Sequence, residues 1–205
     1  DLGGELGFFG YQGFPASICI SINNEIVHGI PTKSKILTEN DLIKLDFGVM
    51  YKGMVTDSAV TLSYSDNQVH DKLINGTRIA LEKALTVIAP HNNIGEIEFI
   101  IGKTLKQHNV FPVNDLAGHG VGEELHEYPT ISNEGRNRKR PPKLNVGNTI
   151  AIEPIAAESS RFMIMADDNW TCLTADGGLA AQFEHTILVT ENGNEVLTRR
   201  ASEVY

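Results

Sequence analysis

Hydrophobic and polar positions alternate with a period of two early in the chain, shift to a helical period in its middle, and return to alternation near its end. Ser17-Ile18-Cys19-Ile20-Ser21-Ile22 alternates small or polar with apolar residues and predicts a strand. Asn23-Asn24 marks a turn, and Ile26-Val27-His28-Gly29-Ile30-Pro31 leads from it into a loop bounded by Gly and Pro. Leu42 to Val49 and Met54 to Leu62 alternate again on either side of Tyr51-Lys52-Gly53, the pattern of a β-hairpin. From Val69 to Ala89 the period changes. Leu73, Thr77, Ala80, Leu81, Ala84, Leu85 and Ile88 fall at helical spacings until Pro90 stops the run. A second helix is expected from about Ile94 to His108, with Ile94, Ile97, Ile101 and Leu105 on one face. A glycine-rich segment around His119, a polar loop ending in Pro141-Pro142 and two strands, Thr149 to Ile155 and Ala181 to Val189, complete the pattern.

Four of these apolar strands each carry one carboxylate: Asp46, Asp57, Glu153 and Glu184. An unpaired charge in a buried strand is expensive, so each acid needs a reason to be there. A two-residue turn at Tyr51-Lys52 would set Asp46 directly opposite Asp57 on one face of the hairpin, with Cβ atoms roughly 5 Å apart. Facing carboxylates repel unless they share a proton or a cation, and a shared cation is the economical solution.

His119 adds a nitrogen donor, projecting from between Gly118 and Gly120. One imidazole with four carboxylates is an oxygen-rich set that suits Mn, Fe, Co or Zn better than a thiolate site. Five protein ligands are too many for one catalytic zinc and natural for two divalent metal ions sharing carboxylates. Beside such a pair, His28 and His126 become candidates for proton donation or for polarising a carbonyl. His70, His91 and His108 read as solvent-facing, and His185 as a neighbour supporting Glu184.

Composition narrows the function classes. A formal charge of −9 over 205 residues argues against a surface devoted to DNA or RNA, and bound cations would offset part of it. The one basic cluster, Arg136-Asn137-Arg138-Lys139-Arg140, reads as a solvated turn, with a ribosome contact as the sharper alternative. Cys19 and Cys172 lie far apart, which excludes a CxxC site and a disulfide framework. No stretch approaches the ~18–20 apolar residues of a membrane span, and the opening Asp1-Leu2-Gly3-Gly4-Glu5 has neither a signal-peptide pattern nor an initiator Met.

The ordered set His28, Asp46, Asp57, His119, His126, Glu153 and Glu184 resembles type I methionine aminopeptidases of the pita-bread fold. The surrounding residues match as well: Val27-His28-Gly29-Ile30-Pro31, Leu45-Asp46-Phe47, Thr56-Asp57-Ser58, Gly118-His119-Gly120-Val121-Gly122, Ile152-Glu153-Pro154 and Gln182-Phe183-Glu184-His185-Thr186. The similarity runs from about Gly10 to Val189. It implies an α+β fold of two pseudo-symmetric halves, each with helices packed on a curved, mostly antiparallel sheet. It implies a cytoplasmic enzyme that removes methionine from the N-terminus of peptides and nascent chains. In that reading Asp46 binds one metal, His119 and Glu153 the other, and Asp57 and Glu184 bridge. Hydroxide generated at the metals would attack the scissile carbonyl. Glu153 would shuttle the proton, His126 would stabilise the oxyanion, and His28 would contact the scissile nitrogen or the leaving amine.

The resemblance also places Tyr11, Phe14, Cys19 and Trp170 in the pocket for the methionine side chain, where aromatic walls suit a thioether. Phe8 and Leu125 map to the same pocket, where the family has a smaller residue and an aromatic one, so a different pocket shape is expected. The helix pair of the first half has no counterpart before Tyr11. A single catalytic domain spanning residues 1–205 is therefore expected to lack an N-terminal helical segment of roughly fifty residues by comparison with the family, leaving one sheet face apolar and uncovered. Two alternatives share the scaffold: a prolidase or Xaa-Pro aminopeptidase, and a non-catalytic binding homologue, which should have lost metal ligands.

Overall fold

The computed structural model describes residues 3–135 and 139–203, so the basic cluster at 136–140 falls largely outside the described residues. The first half runs through β1 (Glu5–Leu6), a short 3-10 turn (Tyr11–Gly13), β2 (Cys19–Ile22), β3 (Glu25–Val27), β4 (Leu42–Tyr51) and β5 (Met54–Ser63). Helices α1 (Gln68–Leu85) and α2 (Ile94–Gln107) follow. Next come β6 (Phe111–Pro112), β7 (Ala117–Gly120), β8 (Glu127–Ser132), β9 (Thr149–Ile152) and β10 (Ile155–Ala157). The chain ends with β11 (Met163–Met165), β12 (Cys172–Thr174), β13 (Ala180–Gln182), β14 (His185–Thr190) and β15 (Gly193–Val196). The strands form four antiparallel sheets: β1-β4-β2 with β5 on β4, β13-β10-β6, β11-β12-β3, and β15-β14-β9-β7-β8. The result is an α+β architecture, as the resemblance implies.

Both helices open on an asparagine cap. The Asn67 side chain accepts from Val69 N and that of Asn93 from Glu96 N. Helix α1 stops at Leu85 rather than Ala89. Beyond it, Thr86, Val87 and Ile88 donate to carbonyls three residues back, which tightens the chain while keeping Ile88 in the core. The predicted faces are buried: Leu73, Ala80, Leu81 and Ala84 pack with Ile94, Ile97, Ile101 and Leu105 against Ile150, Ile152, Ala156, Ala181 and Ile187 from the strands.

The hairpin register differs from the expected one. Lys52 and Gly53 form the turn at φ 52° and 79°, the left-handed pair that a two-residue hairpin loop requires. Asp46 therefore pairs with Ala59 and Asp57 with Gly48, so the two acids are diagonal neighbours, not directly opposed. The slip is two residues, and an even slip preserves the face. Asp46 and Asp57 both still point into the protein. On the reverse face Phe47, Val49, Tyr51, Met54 and Leu62 are exposed.

The two predicted late strands are each interrupted at their acid. Glu153-Pro154 separates β9 from β10, and Phe183-Glu184 separates β13 from β14. The interruptions face each other, since Ile152 pairs with His185 and Ile155 with Gln182. At its break Glu184 turns to the neighbouring hairpin, exchanging backbone hydrogen bonds with Ala59 of β5.

Candidate metal centre and its cleft

Three sheets converge where these breaks meet the hairpin. β4 brings Asp46, β5 brings Asp57, β7 brings His119, and the two interruptions bring Glu153 and Glu184. Small residues allow the approach at β7: a Cβ on Gly118 would meet the Ala151 carbonyl at 2.4 Å, and one on Gly120 the Tyr128 carbonyl at 2.4 Å. The scaffold behind the acids is hydrogen-bonded across the sheets. Asp57 N donates to Thr186 Oγ1 at 2.7 Å, and that hydroxyl donates to Asp57 O at 2.8 Å. Ser58 Oγ donates to Glu184 O.

All four carboxyls are held above the ordinary carboxylate range. Burial is the largest cause in each, and for Asp46, Glu153 and Glu184 the negative charge of Asp57 adds to it. Asp57 is pushed up to about 7 by its burial. Gln182 is a side-chain donor shared by two of them, its Nε2 lying 3.4 Å from Asp46 Oδ2 and 3.5 Å from Glu153 Oε2. Burial, followed by the neighbouring His126, lowers His119 to about 4 and keeps its ring neutral. Burial likewise lowers His28 and His126.

This donor set fits divalent cations. Asp46 Oδ1, Asp57 Oδ1 and Glu184 Oε1 are buried without a hydrogen-bond partner. His119 Nδ1 lies 2.9 Å from Gly120 O, an acceptor, so its hydrogen is there and the Nε2 lone pair faces inward, 3.5 Å from Glu153 Oε1. Ligand atoms of Asp57, His119 and Glu184 lie within 4.8 Å of one another. Positive charge placed among these acids would relieve the repulsion that raises their pKa values.

The acids floor an open cleft of about 660 Å³, solvent space at its mouth included, walled by Phe8, Tyr11, Phe14, Cys19, Leu125 and Trp170. Phe14 stacks edge-on against Trp170 at 5.1 Å and against Phe8 at 6.4 Å. His28 and His126 also line the cleft, so every residue expected in the site is brought to it. Burial and the nearby acids hold the Cys19 thiol protonated.

Of the three histidines expected to face solvent, two correct that placement. His70 is buried and bonded to Ser63 Oγ at 2.6 Å, and His108 is half-buried against Thr104 O; only His91 is exposed. His185 bonds to Thr198 and Glu203 of the C-terminal segment. The sequence pattern assigns no role of their own to Gln182 and Thr186. Their spacing of two from Glu184 was the available signal, because alternate residues of an extended chain share a face.

Residues 3–191 match metallopeptidase family M24. Methionine aminopeptidase 1 of Bacillus subtilis is 40% identical over 193 residues, spanning 94% of this chain and 77% of that protein. The crystal structure of methionine aminopeptidase from Thermotoga maritima superposes with a TM-score of 0.92 at 39% identity, over 96% of this chain and 79% of that one. Prolidase from Pyrococcus furiosus shares the fold at a TM-score of 0.71 and 24% identity, over 89% of this chain and 49% of that one. These neighbours carry the pita-bread architecture, and the buried acid cluster supplies the donors for divalent metal. Fold, donor set and sequence agree that the chain belongs to metallopeptidase family M24 and, within it, to the methionine aminopeptidases.

Proposed function

We propose that the protein is a di-metal aminopeptidase that removes methionine from the N-terminus of peptides and nascent proteins in the cytoplasm. One observation carries the reading: buried acids with unpartnered oxygens floor a cleft whose wall is aromatic and whose rim bears two neutral imidazoles. Five donors suit two ions, which Asp46, Asp57, His119, Glu153 and Glu184 would hold together. Mn, Fe, Co or Zn all match this oxygen-rich set. When bound, such ions would supply Lewis acidity and lower the pKa of a water towards neutrality.

The remaining steps belong to the chain's own residues. Phe8, Phe14 and Trp170 enclose the methionine side chain, since thioether–ring contacts contribute about 0.3–1.5 kcal/mol each. Tyr11, Cys19 and Leu125 complete the enclosure. The acidic floor receives the free α-amino group, which restricts cleavage to the first peptide bond. His126 donates a hydrogen bond to the carbonyl oxygen as charge builds there, and His28 reaches the scissile nitrogen. Glu153 takes up the water proton and returns it to the leaving amine.

Metal content and peptide turnover measured on the same preparation test this reading. Met-Ala-Ser should be cleaved, Ala-Pro-Phe should not, and a strong chelator should abolish turnover until metal is restored. Preference for Ala-Pro-Phe would assign the chain to the prolidase type, and full activity without metal would overturn the mechanism.

A further inference from the structure

Two neutral imidazoles lie side by side in the cleft, His119 and His126, with ring centroids 4.3 Å apart. A neutral imidazole has one N–H and one lone pair, and the partner of one nitrogen decides the state of the other. For His119 the partner is the Gly120 carbonyl, which only accepts. For His126 the partner is the Tyr11 hydroxyl, 2.9 Å from Nδ1, which can donate or accept. The next contact favours one direction. Gln12 Nε2 lies 3.3 Å from the same Tyr11 oxygen and can only donate to it. An oxygen that accepts from Gln12 keeps its own hydrogen free to turn to Nδ1 of His126.

From this geometry we infer that Tyr11, backed by Gln12, is a positioning residue that fixes the tautomer of His126 with its hydrogen on Nε2. The neighbouring rings then hold opposite tautomers. His119 presents a lone pair from Nε2, suited to a cation, and His126 presents an N–H from Nε2, suited to an oxygen gaining negative charge. The catalytic use of that N–H rests on the aminopeptidase reading above; the tautomer itself does not.

The backbone around the relay is shaped to hold it. Gln12 sits at φ 48°, a left-handed conformation unusual for a side-chain-bearing residue, inside a tight turn flanked by Gly10 at φ 83° and Gly13 at φ 90°. The turn is closed by Tyr11 N donating to Phe8 O and Phe14 N donating to Tyr11 O. Conformations of this kind concentrate where a side chain must be aimed. The Tyr11 ring packs against His126 at a centroid distance of 5.3 Å, which carries the hydroxyl to Nδ1.

The test is ¹⁵N NMR of histidine-labelled protein, metal-free and loaded with zinc, comparing wild type with Y11F. Wild-type His126 should show a protonated Nε2 and an unprotonated Nδ1. Y11F keeps the ring in the pocket wall and removes only the donor, so the His126 nitrogen signals should move towards a mixture of tautomers. His119 should keep its own pattern, which verifies the fold of the variant. Turnover of Met-Ala-Ser should fall roughly 10- to 100-fold in kcat, the usual effect of removing such a supporting partner, with KM little changed. A wild-type His126 protonated on Nδ1 would overturn the inference, as would Y11F leaving the nitrogen signals unchanged. Should the protein fail to cleave methionine peptides at all, the NMR comparison still decides the tautomer.

Discussion

Replacing Thr186 with valine should cost the protein both stability and metal affinity, and the structure says how much. The Thr186 side chain is fully buried, and its hydroxyl accepts from Asp57 N at 2.7 Å while donating to Asp57 O at 2.8 Å. Valine has the same shape without the hydroxyl, so the exchange leaves one buried donor and one buried acceptor unpaired. Each such group costs about 1–3 kcal/mol, giving roughly 2–6 kcal/mol in all. With a urea slope of about 2 kcal/mol/M, the midpoint should fall by about 1–3 M. T186S keeps the hydroxyl and should stay near wild type. Because the lost bonds hold the backbone of Asp57, zinc affinity measured against a competing chelator should also drop, by roughly 10- to 100-fold. A T186V protein matching wild type in urea midpoint and zinc affinity would refute the claim that this contact holds the metal-bearing strand.

Three further outcomes follow from the same site. D57N removes a carboxylate that points into the acid cluster and should lower turnover by at least about 100-fold, with loss of bound metal measured by elemental analysis. H126A should lower kcat about 10²–10³-fold, as for other lost oxyanion donors, while metal content stays near wild type. The metal-free protein should lose stability as pH rises from about 6.5 through about 7. Asp57 titrates near 7 when folded against 3.8 ordinarily, so the folded state binds the extra proton and its advantage is lost as that proton leaves. His119 and His185, lowered to about 4, and His28 and His126, also lowered, oppose the trend by at most about half a proton each as the unfolded imidazoles titrate around 6.5, and the raised carboxyls of Asp46, Glu153 and Glu184 act with Asp57 against them. Urea midpoints across this window check the sign, and saturation with zinc should reverse it because cations compete with the protons.

The chemistry of the site was legible along the chain because buried charge is costly. Carboxylates placed in apolar strands, with His119 among glycines, point to cations whatever the fold. Asp46 and Asp57 do not pair as expected, yet they share a face for a physical reason. Side chains in a strand repeat every two residues, so moving the turn to Lys52-Gly53 shifted the partners without changing the face. Both helices and their buried stripes were likewise local properties, written in spacing and asparagine caps.

Tertiary structure decided what depends on partners distant in sequence. The apolar runs at 149–155 and 181–189 look continuous, but their acids sit in breaks that exist because Glu184 leaves one ladder for Ala59 of another. His70 reads as a surface residue until the Ser63 side chain is found against it in the folded core. Thr186 reaches Asp57 across 129 positions, and the Tyr11 hydroxyl reaches His126 across 115. Local pattern identifies which residues carry charge and which face they occupy. The second partner of each, which sets its proton and holds its aim, is chosen by long-range packing that residue spacing does not encode.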